Sequence, residues 1–405
     1  MFNDTEYRSF PLLSSLTDTI GRHLTAGVVL DLEGQAAAQH TAMTLRQALS
    51  RMPDPRHRRG VRYPFLDLLQ IIVCAVISGA QTLTMIAEWA QEAAAAQGFP
   101  QTTRIPSLAT FHRVIAGIDG QVLDTVINDW VHARTRQANT TADARQVVAV
   151  DGKEVRGAKN GSNARVFLFA ALDHATGAVI GQDSIGEKTN EIPHFATLMG
   201  KLGELDGAVI TADALHTQRE HAEYLHKHGA HYVLTVKNNQ RGLRDRISSQ
   251  TWAGRPVQYT CREKGHGRTT TWQATVQPAQ DWIDFPHATQ TMRLTRDRHD
   301  HKTGTRTREH VFVITSLPAD QAGPEKLADY IRGHWGIENR LHWVRDVTFD
   351  EDRSQIRTGN AAHVMASIRN LAISIHRLTG ATNIAKALRA AMRNPKIAGQ
   401  LITRL

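Results

Sequence analysis

QVVAVDG, residues 146–152, is where the periodicity of this chain changes. Four consecutive apolar residues, Val147 to Val150, stop at Asp151-Gly152, which reads as a buried strand rather than an amphipathic helix. Taken alone, VAVDGKEV also fits a hairpin with an Asp-Gly type I′ turn. Downstream, RVFLFAALDHATGAVIGQDSI (165–185) reads as two strands joined at His-Ala-Thr-Gly. An amphipathic helix follows in IPHFATLMGKLGEL, then a buried strand in GAVITADALHTQ that ends at Asp213. REHAEYLHKHG is a helix closed by Gly229, and HYVLTVKNNQ is another buried strand. Strands come first as a meander and then alternate with helices, which predicts a mixed α/β sheet flanked by helices.

On either side the pattern differs. Residues 1–40 have weak periodicity and read as an arm; 41–140 read as helices, including Phe65–Ala96 broken at Ser78-Gly79 and a helix that starts near Ser107. That last pair fits both a helix-turn-helix reader and an ordinary helical bundle. ANTTADAR is a polar linker. Residues 251–317 alternate with period two between turn signals, so a β-rich insertion is expected there. The sheet and its helices are therefore split, over 146–250 and 318–380, and 381–405 reads as a basic tail.

A hydrophobic content of 41% with 21% charged residues describes a globular chain. The formal charge of +9, with 21 histidines besides, points to a polyanionic partner, nucleic acid first, although a basic protein without one fits as well. Cys74 and Cys261 are far apart, which supports neither a disulfide framework nor a thiolate zinc site and fits a reducing cytoplasm. MFNDTEYRSF lacks the basic and apolar regions of a secretory signal. The most apolar run, FLDLLQIIVCAVISGA, is interrupted by Asp67 and Gln70 and reads as a buried helix, with no membrane partner implied.

Three acids stand out. Asp151 and Asp213 each end a buried strand, where α/β folds build their sites, and Glu338 lies in RGHWGIENRLHWVRDVTFDED (332–352), among tryptophans, histidines and arginines. Carboxylates gathered there are costly unless paired or bound to a cation. Hard oxygen ligands without cysteine favour Mg²⁺ or Mn²⁺ over zinc. Each acid also has a plainer reading: Asp213 as a helix cap, Glu338 as the partner of Arg345 or Arg332. His334, Glu338 and His342 recur every four residues, so a His-Glu-His zinc site is a further reading, but it leaves Asp151 and Asp213 unexplained.

VVAVDGKEVRGAKN, TADALHTQ, YVLTVKNNQ, EKGHGR and RGHWGIENRLHWVRDVTFDED together resemble the DDE transposases of bacterial insertion sequences. More narrowly they are similar to the ISAs-type branch with its H-repeat-associated proteins. DPRHRRGVRYP, SGAQTLTMIAEWA and IPSLATFHRVIAGID resemble that branch's N-terminal associated domain, a DNA-binding candidate. The resemblance implies an RNase H-like fold interrupted between its second and third acids. It implies that Asp151, Asp213 and Glu338 are a catalytic triad holding two divalent ions, Mg²⁺ or Mn²⁺. It implies DNA as partner: terminal inverted repeats bound by a dimer or higher oligomer, phosphodiesters hydrolysed at the element ends, and 3′-hydroxyls joined to target DNA in a nucleoid-associated, cytoplasmic setting. Two alternatives stay open: an RNase H-like nuclease without strand transfer, and a non-catalytic, transposase-derived DNA-binding protein.

The wider superfamily's Y-x₂-R-x₃-E-x₆-K signature would fall on Ile331, His334, Glu338 and Arg345, so only the acid and one cation are kept. By charge and place, Lys153, Arg156, Lys237, Asn238, His266, Arg268, Arg332, His334, His342 and Arg345 are expected DNA contacts. Trp335 and Trp343 lie eight apart, one expected in the core and Trp335 nominated for stacking on an unpaired base.

Overall fold

The computed structural model describes residues 43–59, 61–95, 104–138, 145–157, 166–185, 191–265 and 267–404. Helices come first: α1 (Leu45–Leu49), α2 (Phe65–Ile77), α3 (Leu83–Ala95), α4 (Leu108–Gly117) and α5 (Gly120–Ala138). The expected break falls at Gly79, whose φ of +94° is open to glycine at little cost. Helix α4 buries Phe111, Val114 and Ile115 in the common core rather than standing free.

The sheet follows: β1 (Val147–Val155), β2 (Val166–Asp173) and β3 (Val179–Ile185) form an antiparallel meander. Gly152 and Lys153 continue β1 against β2, so Asp151-Gly152 is strand and not a hairpin turn. After α6 (Phe195–Lys201), β4 (Val209–Ala212) lies parallel to β1; after α7 (Arg219–Lys227), β5 (His231–Val236) lies parallel to β4. This is the RNase H-like arrangement, an antiparallel 3-2-1 edge joined to parallel 4 and 5. Helix α8 (Arg241–Ser249) leads out of it.

The β-rich stretch contributes β6 (Tyr259–Gly265), β7 (Arg268–Pro278), β8 (Gln290–Asp300) and β9 (Arg306–Thr315). It extends the same sheet: β9 pairs antiparallel with β5, from Val233 opposite Thr315 to Val236 opposite Phe312. The result is one nine-stranded sheet in the order β3-β2-β1-β4-β5-β9-β8-β7-β6.

Helix α9 (Pro324–His334) lies on one face of this sheet. Leu327, Ala328, Tyr330 and Ile331 pack on Val209, Val233, Met292, Leu294, Val311 and Val313. Below them His334 Nδ1 lies 3.3 Å from Thr211 Oγ1, and His174 Nε2 lies 3.1 Å from the same oxygen. Past Trp335 the helix widens into π-helical turns, Glu338–His342 and Val344–Thr348.

The widened segment is anchored by charge. Glu351, fully buried, accepts from Arg345 Nε at 2.9 Å and from Arg369 Nη1 at 3.0 Å. Burial alone would raise the Glu351 carboxyl, yet Arg345 and Arg369 hold it below its ordinary value. Arg369 sits on α10 (Ala361–Leu378), which also packs on α2, α4, α5 and β3. A polar network joins the same parts: Asp124 of α5 accepts from Gln182 of β3 at 2.9 Å and meets His363 of α10 at 2.7 Å. The N-terminal helices, the sheet and the π segment thus share one core. Residues after 381, expected as a tail, fold into α11 (Ile384–Arg393) and α12 (Pro395–Arg404), because Ile384, Leu388 and Ala391 form a buried stripe under an Asn383 cap.

Glu351→Ala is expected to cost about 3–5 kcal/mol, since it leaves two arginines buried and unpaired; chemical unfolding measures it. A second expectation concerns acid. Burial, then the neighbouring His334 and Arg340, holds His174 down to about 3, and burial holds His334 down to about 4, so the fold keeps both neutral. The unfolded chain takes up these protons near 6.5, so this part of the stability is full above that pH and is lost as pH falls toward 4. Thermal melts from pH 7.5 to 5 should show a falling Tm, with a shallower slope in His334→Gln.

Candidate active site

Sheet register brings the first two acids together. Val150 pairs with Ala212 across the parallel β1–β4 ladder, so Asp151, in mid-strand, lies beside Asp213, just past the end of β4. With period two, Val147, Ala149 and Asp151 share a face with Val209, Thr211 and Asp213. This is the face α9 covers, and its π continuation lowers Glu338 and His342 onto Asp151. His342 Nδ1 lies 3.5 Å from Asp151 Oδ2 and 3.5 Å from Glu338 Oε2. The ligand atoms of Asp151, Glu338 and His342 all fall within 4.8 Å of one another. Asp213 is held from below, its Oδ1 accepting from the Leu215 amide at 2.8 Å, so the cap reading is also realised.

Electrostatics follow from this crowding. Burial, then the neighbouring Glu338 and Asp213, push the Asp151 carboxyl up to about 8. Glu338, 61% exposed in its side chain and hydrogen-bonded by His342, is driven below its ordinary value. The pair therefore shares a proton at neutral pH. A divalent cation would replace that proton, and the oxygen-rich donor set suits Mg²⁺ or Mn²⁺. His342 is 5% exposed and burial keeps it neutral. Its Nε2 has no partner, so its single proton belongs on Nδ1, facing the two carboxylates. In that state it faces the acids as a donor, and His334, the third member of a His-Glu-His zinc site, points to Thr211 instead, which weighs against such a site.

The expected DNA contacts divide sharply. Arg345 is corrected: it has no exposed surface and is committed to Glu351. His334 and His342 are buried, for the reasons given. Trp335 packs against Trp272, with the Arg296 guanidinium over its ring, while Trp343 is 56% exposed, so the two tryptophans exchange their expected roles. Lys153 is tied to Asp346 at 2.6 Å, and Arg332 to Glu263 and Asp329; neither Arg332 nor Arg345 pairs with Glu338. Arg156 and Arg268 stay largely exposed beside Asp352 and Asp300. Lys237 and Asn238 are exposed and line a groove with Asp213. His266 lies outside the described residues. Sequence reasoning missed Thr211, Asp346 and Glu351, whose partners are distant in sequence or sit on the far side of a loop. It also missed Glu191, whose carboxylate packs against Gly152, and a glycine inside a strand was the available signal.

Comparison with known proteins agrees with this geometry. Residues 142–375 match the family model described as Transposase DDE domain, and residues 46–131 match its associated domain, DDE_Tnp_1-associated. "H repeat-associated putative transposase YhhI" of Escherichia coli K12 is 30% identical over 86% of this chain and 94% of that protein. "Putative transposase YncI" of Escherichia coli O157:H7 is 28% identical over 82% of this chain and 87% of that protein. A solved piggyBac transposase synaptic complex with hairpin DNA covers 88% of this chain and 76% of that one at 12% identity and a TM-score of 0.41, too distant a likeness to argue from. The family matches take in the whole acid-bearing sheet and the helices that precede it, and the chain is a member of the DDE-type insertion-sequence transposases.

Proposed function

We propose that this protein binds the inverted repeats at the ends of its element, hydrolyses DNA phosphodiesters there and joins the freed 3′-hydroxyls to target DNA, with Asp151, Asp213 and Glu338 as the catalytic carboxylates. The observation that carries this is that Glu338 is brought within reach of Asp151, with Asp213 beside Asp151 at the end of the neighbouring strand, in a member of the DDE family. When bound, two divalent ions, Mg²⁺ or Mn²⁺, supply activation of the attacking oxygen and stabilisation of the leaving oxygen. The chain's own residues do the rest. Asp151, deprotonated, would hold an ion together with Asp213 and Glu338. His342 keeps Glu338 and Asp151 in register through Nδ1–H. Lys237 and Asn238, beside Asp213, hold the scissile phosphate. Trp343, exposed next to His342, stacks on a base freed at the cut end.

A basic face supports DNA as the partner. In the β6–β9 ladder, Arg262, Thr271, Asp297 and Arg308 stand directly opposite one another, as do Lys264, Thr269, His299 and Arg306. Opposed residues share a face, here the one away from α9, so four cations meet one carboxylate on it. The next row reaches His310, which lines the groove with Asp213, Lys237 and Asn238. A duplex lying along this face would reach the groove beside Asp213. Two copies, each holding one end, would give a paired complex.

Cleavage of DNA carrying the cognate ends in Mg²⁺ tests the chemistry. Asp151→Asn, Asp213→Asn and Glu338→Gln are each expected to lose at least about a hundredfold in rate, a loss at the upper end of that seen on altering the surroundings of a bound metal. Parent-like cleavage by all three would refute the assignment, and absence of joined product would leave a nuclease. For binding, Arg262→Ala with Arg306→Ala should weaken DNA affinity and flatten its salt dependence by roughly 0.9 in slope per lost phosphate contact. An unchanged slope would remove the insertion face from the DNA path.

A further inference from the structure

Gly152 follows Asp151 within β1 and points to the opposite face of the sheet. Glycine inside a strand weakens it and often marks the close approach of another group. The group here is Glu191, at the head of the short turn Ile192–His194 that leads into α6: any Cβ at position 152 would overlap the Glu191 carboxylate. The far side of that carboxylate is fixed by His216, whose Nε2 lies 3.2 Å from Glu191 Oε2. His216 is fully buried, stacked on Phe169 and against His221. Its Nδ1 is buried without a partner, so its proton belongs on Nε2, aimed at Glu191. Among the described residues no lysine or arginine pairs with Glu191, and it lies near enough to Asp151 for the two carboxylates to repel. A carboxylate three-quarters shielded from water, held by one histidine and set near Asp151, is well placed to be joined to it by a cation.

We propose that Glu191 is a fourth carboxylate of the centre, approaching from the opposite face of the sheet and strengthening its hold on a divalent ion beside Asp151. This rests on the reading that the centre binds such ions. His216 and Gly152 are then its positioning residues: the first orients the carboxylate, the second makes room for it.

Mn²⁺ titration calorimetry on the full chain, with thermal melts of the metal-free protein, tests it. Glu191→Gln keeps volume and the acceptor for His216, so the fold is retained. The variant is expected to bind Mn²⁺ roughly tenfold more weakly. Its metal-free Tm should match or exceed the parent's, because one of several repelling charges is gone. Unchanged Mn²⁺ affinity would overturn the proposal, and a lowered metal-free Tm with that affinity would make Glu191 a structural brace. If Asp151→Asn loses Mn²⁺ while Glu191→Gln keeps it, Glu191 alone is wrongly placed. If the parent itself binds no Mn²⁺, the metal reading and this inference fall together.

Discussion

Mutual repulsion between carboxylates gathered where β1 passes the end of β4 is the constraint on which this structure turns. Left to themselves, Asp151 and Glu338 would swing apart into water. Register, helix docking and a buried histidine keep them within reach, and the cost appears as a proton retained by Asp151 up to about pH 8. Crowding of this kind is relieved when a cation takes the place of a proton among the carboxylates.

The supporting structure is built to resist that repulsion. Thr211, one pair of residues below Asp213, receives His334 and His174 and so sets the height of α9 over the sheet. Beyond the acids, Glu351 draws Arg345 and Arg369 together, and Arg369 Nη2 reaches the carbonyl of Gln81 in the α2–α3 loop at 3.3 Å. Lys153 and Asp346 tie β1 to the same segment. Glu338 is thus the exposed end of a segment clamped on both sides, which gives a π-helical stretch a functional reason to persist.

Much of this was legible in the sequence, and for a physical reason. VVAV and AVITA are apolar runs that end in acids, so both the strands and the edge they share could be read locally. The insertion's place in the sheet could not, because pairing of Val236 with Phe312 is a contact between distant residues with no local signature. Arg345 looked like a surface cation because helical spacing does not announce a partner on α10. The His-Glu-His pattern assumed one helical face; widening of the helix sends His334 to Thr211 and His342 to Asp151. The basic tail hid its stripe of Ile384, Leu388 and Ala391 under flanking lysine and arginine. Glu191 sits in a polar stretch, and only the glycine opposite betrays it.

A crystal structure of the protein grown with Mn²⁺ and DNA carrying an element end, phased on the manganese anomalous signal, addresses the central claim directly. The account predicts manganese between Asp151, Asp213 and Glu338, with His342 outside the coordination sphere and the end phosphate at the groove lined by Lys237. Manganese bound elsewhere, or held by His334 and His342 with the aspartates unoccupied, would contradict it.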